Sequence, residues 1–396
     1  MSDRTLAAAL PLSAPLRPEM ATMGSSKIAE VWALGQGRKD VIGLWVGEGD
    51  LPTPKFICEA SNQALLAGET FYSAKRGLPV LRSAIADYMT RHFKQKVDER
   101  RVTVTASGMN AIMLALQMVL GPGQAMVTVT PVWPNAMAAA RVMGGRVVPV
   151  GLESQPDGSF KLDLDKVTDA VDETTRAIFV ASPGNPTGWV MERDQQEALL
   201  EICRRKRIWL IADEVYHRFI YDRPLAPSFM EFARPDDPIV FVNSFSKNWA
   251  MTGWRLGWLV TPEPLGETLD NLIEYNICGA QPFLQKGALA AIRDGEGFVQ
   301  EMVERCRRGN ELVFQRLAAL PRVRLARPRG AFYAFFGLDG MADSLATAKR
   351  ILAETKVGLA PGAAFGPGGE GHLRLCFATS EARLSEALDR LEPALR

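Results

Sequence analysis

The sequence predicts an α/β fold: a large domain built on a mostly parallel sheet between helices, and a smaller α+β domain. Three observations carry this. Short β-rich runs recur through the middle of the chain, several apolar at both alternating positions, as expected of strands covered on both faces. Helix-like segments separate them, which lets successive strands lie parallel through crossover connections. After about residue 290 the pattern turns to long amphipathic helices with fewer strands.

In chain order the seven runs are RVTVT (101–105), AMVTVT (125–130), RVVPV (146–150), AIFVA (177–181), IWLIAD (208–213), IVFVN (239–243) and RLGWLV (255–260). A helix, AIMLALQMVL, fills the gap between the first two and is stopped by GPG. Beyond residue 290, EGFVQEMVERCRRGNELVFQRLAAL reads as one helix ended by Pro321. SEARLSEALDRLEPALR reads as another, with Leu384, Ala387, Leu388 and Leu391 on one stripe. AFYAFFGL and HLRLCFA, between them, read as strands. The expected division is residues 1–50 as an N-terminal arm and part of the small domain, 51–290 as the large domain and 291–396 as the small C-terminal domain. A chain of 396 residues suits two domains, because single cores seldom grow beyond roughly 250–300 residues.

Composition excludes several classes. Hydrophobic residues at 47% and charged residues at 23% are the balance of a folded soluble protein rather than a disordered one. The 46 basic and 45 acidic side chains leave a net charge of +1, so no overall field would draw the chain to nucleic acid or anionic lipid. The basic cluster RRKR, Arg204 to Arg207, follows the helical QQEALLEIC and reads as a solvated helix C-terminus favoured by the dipole. Five scattered cysteines without a C-x-x-C pair argue against a disulfide framework or a zinc site and favour a reducing compartment. The three histidines, His92, His217 and His372, are not spaced to share a metal. The N-terminal MSDRTLAAALPLSAPL resembles a secretory signal only superficially, since it lacks net positive charge and is interrupted by Pro11 and Pro15. No uninterrupted apolar segment is long enough to cross a bilayer, so a cytoplasmic enzyme is expected.

Four stretches have the residue types for chemistry, all on expected loops at strand ends, where open α/β sheets bind ligands. In TASGMNA, Ser107 and Gly108 turn the chain into a helix opening near Met109, whose free N–H groups and dipole suit a phosphate; a simple cap is the alternative. SPGNPTG (182–188) is a rigid turn that presents Asn185, or only a tight loop. In IADEVY, Asp213 and Glu214 follow an almost wholly apolar strand, so at least one carboxylate is buried and needs a partner, with Tyr216 close behind. In NSFSKNWAMTGWRLGW (243–258), Lys247 and Arg255 lie among apolar residues where cations are rare unless something binds them. Ser244 and Lys247 also match the S-x-x-K nucleophile pattern, but the chain lacks the K-T-G and S-D-N companions.

Taken in order, SGMNA, TPVWPN, SPGNPTG, ADEVY, SFSKNWAMTGWRLGW and HLRLCFATS resemble the class I/II aminotransferases, pyridoxal 5'-phosphate enzymes of fold type I similar to aspartate aminotransferase. The resemblance runs from about Gly47 to the C-terminal helix. It implies a large domain with a seven-stranded, mostly parallel sheet, and an imine between Lys247 and the cofactor. Arg255, Ser244 and Ser246 would bind the phosphate together with Ser107, Gly108 and Met109. Asp213 would pair with the pyridine nitrogen, Asn185 and Tyr216 would reach the ring oxygen, and Trp133 would stack on the ring. Arg374 would clamp the substrate α-carboxylate, with Gly47 beside it. Tyr72 matches a tyrosine that reaches the neighbouring subunit's phosphate, which implies a homodimer with shared sites. The implied reaction moves an amino group from an L-amino acid to a 2-oxo acid by a ping-pong route, with Lys247 carrying the proton from Cα.

Two departures from the aspartate-specific pattern stand out. Ala136 occupies the place of a histidine that supports the aspartate on the pyridine nitrogen, so Asp213 would be supported by water or another side chain. No arginine is identifiable for a distal substrate carboxylate, while Trp45, Leu51, Phe332 and Tyr333 could flank a neutral or aromatic side chain or simply pack in the core. A β-eliminating C–S lyase of the same fold is the alternative function. A cofactor-sensing transcription regulator is disfavoured, because the roughly 45 residues before the domain have no helix-turn-helix pattern.

Overall fold

The computed structural model describes residues 14–396; the signal-like reading of the N-terminus falls mainly on residues outside this range. Seven strands form the main sheet: β1 (Val102–Thr105), β2 (Ala125–Thr130), β3 (Arg146–Gly151), β4 (Thr175–Ala181), β5 (Trp209–Asp213), β6 (Ile239–Ser244) and β7 (Gly257–Val260). Their spatial order is β1-β7-β6-β5-β4-β2-β3, and β7 alone runs antiparallel to its neighbours. Interior strands are buried on both faces, which is why they read as continuous apolar runs. β3 is an edge strand and largely unburied, and so can carry Pro149 without losing a needed ladder bond.

Two expectations about this part of the chain are corrected. The last strand begins at Gly257, not Arg255, because Arg255 is left-handed (φ 52°) at the end of the short turn Thr252–Trp254. Its side chain thus belongs to a loop above the sheet edge. Nor is the RRKR cluster wholly solvated: it closes the helix Arg193–Lys206 as expected, but Arg204 forks onto the buried Asp237 at 2.6 and 2.7 Å. That pairing removes an otherwise uncompensated charge from the sheet edge.

A second packing unit is built around the antiparallel strands Val323–Arg324, Tyr333–Leu338, His372–Cys376 and Ala360–Pro361, in that spatial order. The helix Glu296–Leu317 packs there against the C-terminal helix Glu381–Leu395, whose Leu384, Ala387, Leu388 and Leu391 are fully buried. The former helix ends at Leu317, before Pro321. N-terminal residues complete this unit: Ile42–Gly43 pairs in parallel with Val357–Gly358, and the helix Lys27–Gly35 packs on Ser344–Thr355. Helix Pro282–Asp294 runs across residue 290 and packs on Lys55–Leu66, on the large-sheet side.

Trp45 fastens the N-terminal segment to the small unit. Its buried indole lies against the backbone of Gly358, where any side chain would collide with the ring. Gly358→Ala should therefore force Trp45 out of place and destabilise the protein by about 1–3 kcal/mol, read as a lower denaturation midpoint; an unchanged midpoint would show that the ring can yield.

Candidate active site

The C-terminal ends of the parallel strands face a cavity of about 510 Å³. Gly47, Gly108, Met109, Trp133, Asn185, Asp213, Tyr216, Ser244, Ser246, Lys247, Arg255 and Arg374 all line it. Ser107 sits immediately behind, and Tyr72 lies outside, 91% exposed. Residues spread over more than 300 positions thus converge because they lie at or near the ends of strands in the two sheets, with Arg374 within one.

Asp213 ends β5, with Ala181 and Val242 as its neighbours across the sheet. Among the described residues its carboxylate accepts one hydrogen bond, a long one of 3.3 Å from the Val215 N–H. Burial pushes its pKa up to about 6, against the pull of the Val215 N–H and the Lys247 charge. Ala136, buried in the helix Pro134–Val142, offers no polar support. Glu214, next along, accepts from the Ser228 hydroxyl at 2.6 Å and the Phe229 N–H at 3.2 Å and lies outside the cavity. Of the two adjacent carboxylates, Glu214 is the one satisfied by the fold.

Lys247 follows β6 on the one-turn helix Phe245–Asn248, and its ammonium donates to the Gly47 carbonyl at 2.6 Å. Burial lowers its pKa to about 8. Ser244 does not hold Lys247: its hydroxyl lies 3.0 Å from the Ser246 Oγ and 3.3 Å from the Leu256 carbonyl, a poor arrangement for a nucleophile. Arg255 donates to the Thr252 carbonyl at 2.6 Å and is otherwise exposed to the cavity.

The turn after β1 is strained. Ser107 has φ 131° and ψ 163°, a region used almost only by glycine, while its Oγ accepts from the Asn110 N–H at 3.0 Å to cap the helix Gly108–Val119. Gly257 makes this possible: a Cβ there would lie 2.6 Å from the Gly108 nitrogen, so only glycine lets the turn press against β7 and Ser244. The cap reading and the anion-site reading are compatible, since the Ser107 hydroxyl proton and the first N–H groups of the helix remain free.

Arg374, on His372–Cys376, is 2% exposed. Its guanidinium lies between the rings of Tyr333 (4.5 Å) and Phe365 (4.8 Å), donates to Asn185 Oδ1 at 2.8 Å and to the Trp45 carbonyl, and leaves Nε without a partner. Among the described residues all its hydrogen-bond partners are neutral.

A model of the family described as aminotransferase class I and II matches residues 39–391. The chain belongs to that family. Among its relatives, a probable aspartate/prephenate aminotransferase of Aquifex aeolicus is 34% identical over 387 residues, 96% of each chain. An arginine–pyruvate transaminase of Pseudomonas aeruginosa is also 34% identical, over 89% of each. The solved aspartate aminotransferase of Thermus thermophilus with maleate superposes with a TM-score of 0.89 at 30% identity, covering 96% of this chain and 100% of that one. This class I/II aminotransferase is accordingly a pyridoxal-phosphate enzyme.

The donor set fits that cofactor. A free helix N-terminus, two serine hydroxyls and an arginine suit a phosphate, an amine suits an aldehyde carbon, and a buried carboxylate without a cation suits a protonated ring nitrogen. Sequence reasoning missed several cavity residues: Ile28, Ala29 and Trp32 from the helix Lys27–Gly35, and Glu48 and Thr252, joined by a 3.0 Å hydrogen bond. Glu48 and Thr252 adjoin motifs already singled out; the helix carries no such signal. Of the four residues expected to flank a substrate, Trp45 and Tyr333 line the cavity, whereas Leu51 and Phe332 pack elsewhere.

The charge on Asp213 carries a testable cost. Because its folded-state pKa lies above the ordinary carboxylate value, it favours the folded apoprotein below about pH 4, and this contribution is lost as pH rises through about 6. Asp213→Asn should leave the cofactor-free protein equally stable at low pH but more stable above pH 6, by up to roughly 3 kcal/mol. Thermal midpoints across that range would show the gap opening with pH; a gap of the opposite sign would contradict the burial argument.

Proposed function

We propose that the cavity transfers an amino group from an uncharged L-amino acid to a 2-oxo acid, with the residue roles that follow. The observation that supports this best is the convergence of Lys247, Asp213 and Arg374 on one cavity with no ion pair among them or to other described residues. Each charge then has its partner in the ligands.

Lys247 is the attachment amine and afterwards the base that moves a proton at the substrate Cα. Its lowered pKa leaves part of the population as free amine near neutral pH, and the Gly47 carbonyl holds it at the cavity wall. When bound, pyridoxal phosphate supplies the electron sink for negative charge developing at Cα. Asp213 would keep a proton on the ring nitrogen, and Asn185 and Tyr216 would hydrogen-bond the ring oxygen. Tyr216 is oriented by a 2.6 Å hydroxyl contact with Tyr333. Trp133 would pack on the ring, and Ser107, Gly108, Met109, Ser244, Ser246 and Arg255 would hold the phosphate.

Arg374 takes the substrate α-carboxylate on the spare hydrogens of its amino groups, with Gly47 beside it. Packed between two rings, it loses little entropy on binding. The remaining wall contains Trp32, Trp45, Val46 and Ile28, which favours an apolar or aromatic donor side chain. The relatives carry names for acidic and basic donors alike, so the wall rather than kinship supports this choice.

The enzyme works as a cytoplasmic homodimer in which Tyr72 reaches the partner's phosphate. Tyr72, Phe71, Leu66 and Tyr275 are 78–91% exposed in the single chain, as an uncovered interface would be, and five free cysteines suit a reducing compartment. The small unit, residues 295–396 with described residues before about 50, is a separate domain; the expected boundary at 290/291 moves to Gly295, between two helices.

Borohydride should fix the cofactor covalently to the wild type but not to Lys247→Ala; label retained in that variant would refute the attachment role. Arg374→Ala should raise KM for donor and acceptor at least roughly tenfold, measured in steady state, whereas an unchanged KM would leave the α-carboxylate without its clamp. Phenylalanine or leucine should exceed aspartate in kcat/KM by roughly tenfold or more, and the reverse order in an amino-acid screen would refute the proposed donor class.

A further inference from the structure

The segment 44–53 is a strap between the two packing units, fixed at Leu44, Trp45, Gly47, Glu48, Asp50 and Thr53. On the side of the Arg374 strand, the Leu44 carbonyl accepts from the Cys376 N–H at 2.9 Å and the Trp45 carbonyl accepts from Arg374. On the side of the large sheet, the Gly47 carbonyl accepts from Lys247 at 2.6 Å, and Thr53 donates to the Ala250 carbonyl at 2.7 Å. Asp50 lies between these anchorages. Its Oδ2 accepts from the Thr379 hydroxyl and the Ser380 N–H, both at 2.9 Å, and its Oδ1 accepts from Arg305 at 2.5 Å. Both oxygens are occupied by groups of the small unit, five or six residues beyond Arg374 and on the helix Glu296–Leu317.

The clamp has a mechanical consequence. Once Lys247 leaves the Gly47 carbonyl to do its work, the loop at Gly47 and Glu48 loses a contact on the large-sheet side. On that side Glu48 keeps its hydrogen bond from Thr252, and the attachments to the small unit set the distance of Gly47 from Arg374. Asp50 is the charged acceptor among them, with three donors from the small unit.

We propose that Asp50 is a positioning residue for substrate binding: by clamping Arg305, Thr379 and Ser380 it keeps the Gly47 loop in register with Arg374, so that the α-carboxylate finds both. This rests on the cavity being the amino-transfer site. Asp50 touches neither substrate nor cofactor. Every substrate of either half-reaction carries the same α-carboxylate, so the clamp acts equally on amino acids and oxo acids, whatever their side chains.

The test is steady-state kinetics of cofactor-loaded Asp50→Ala, Asp50→Asn and Thr379→Val enzymes with a small and a large amino donor and with two 2-oxo acids. Activity of the wild type reports on the cavity assignment, and the ratio of variant to wild-type KM reports on Asp50. Asp50→Ala should raise every KM by the same factor, roughly tenfold, with kcat and bound cofactor close to wild type. Asp50→Asn and Thr379→Val, which keep part of the clamp and serve if the alanine variant does not fold, should raise every KM by a smaller common factor, about threefold. Unchanged KM values in folded, loaded variants would overturn the proposal, as would a loss confined to kcat or to one side-chain class. A merely structural Asp50 would lower the thermal midpoint and the active fraction while leaving KM alone.

Discussion

A charge taken out of water must find a partner, and three charged residues that line the cavity have no ion as partner among the described residues. Asp213, Lys247 and Arg374 all sit at the rim where the two sheets face each other, and each has only neutral or weak contacts. Other buried charges are satisfied by the fold: Asp237 is met by Arg204, Arg218 by Glu296, and Glu214 by a hydroxyl and a backbone N–H. The site is marked by the convergence of Asp213, Lys247 and Arg374 on one cavity.

The architecture serves that arrangement. Parallel strands β4, β5 and β6 bring Ala181, Asp213 and Val242 side by side, and the loops after them reach the same space. The antiparallel strand β7 returns beside β6 and β1, and its glycine lets the strained Ser107 turn close against Ser244. Arg374 arrives from a different sheet, so the distance between the carboxylate clamp and the amine depends on how the two units meet. The strap through Trp45, Gly47 and Asp50 carries contacts to both.

Much of this was legible in the sequence because it is local. Apolar runs announce interior strands, and a buried Asp or Lys after such a run announces a charge in need of a ligand. What was illegible depends on conformation or distance. The left-handed backbone of Arg255 and the strained φ of Ser107 follow from tertiary packing that no local pattern encodes. Arg204 looked solvated because its partner Asp237 lies 33 positions away. Tyr333 was ambiguous between core and site and turned out to line the cavity, bonded to Tyr216 117 positions earlier. Trp32 enters the cavity from a helix that only the small unit's packing brings there.

The central claim, that these unpartnered charges serve reversible amino transfer, is tested most directly by the half-reaction stoichiometry of the loaded enzyme. With an amino donor and no oxo acid, each subunit should release a single equivalent of 2-oxo acid and stop, resuming only when a second oxo acid is added. Continuous release of oxo acid with ammonia, above all from a donor with a thiol leaving group at C3, would contradict it and make the site an eliminating one.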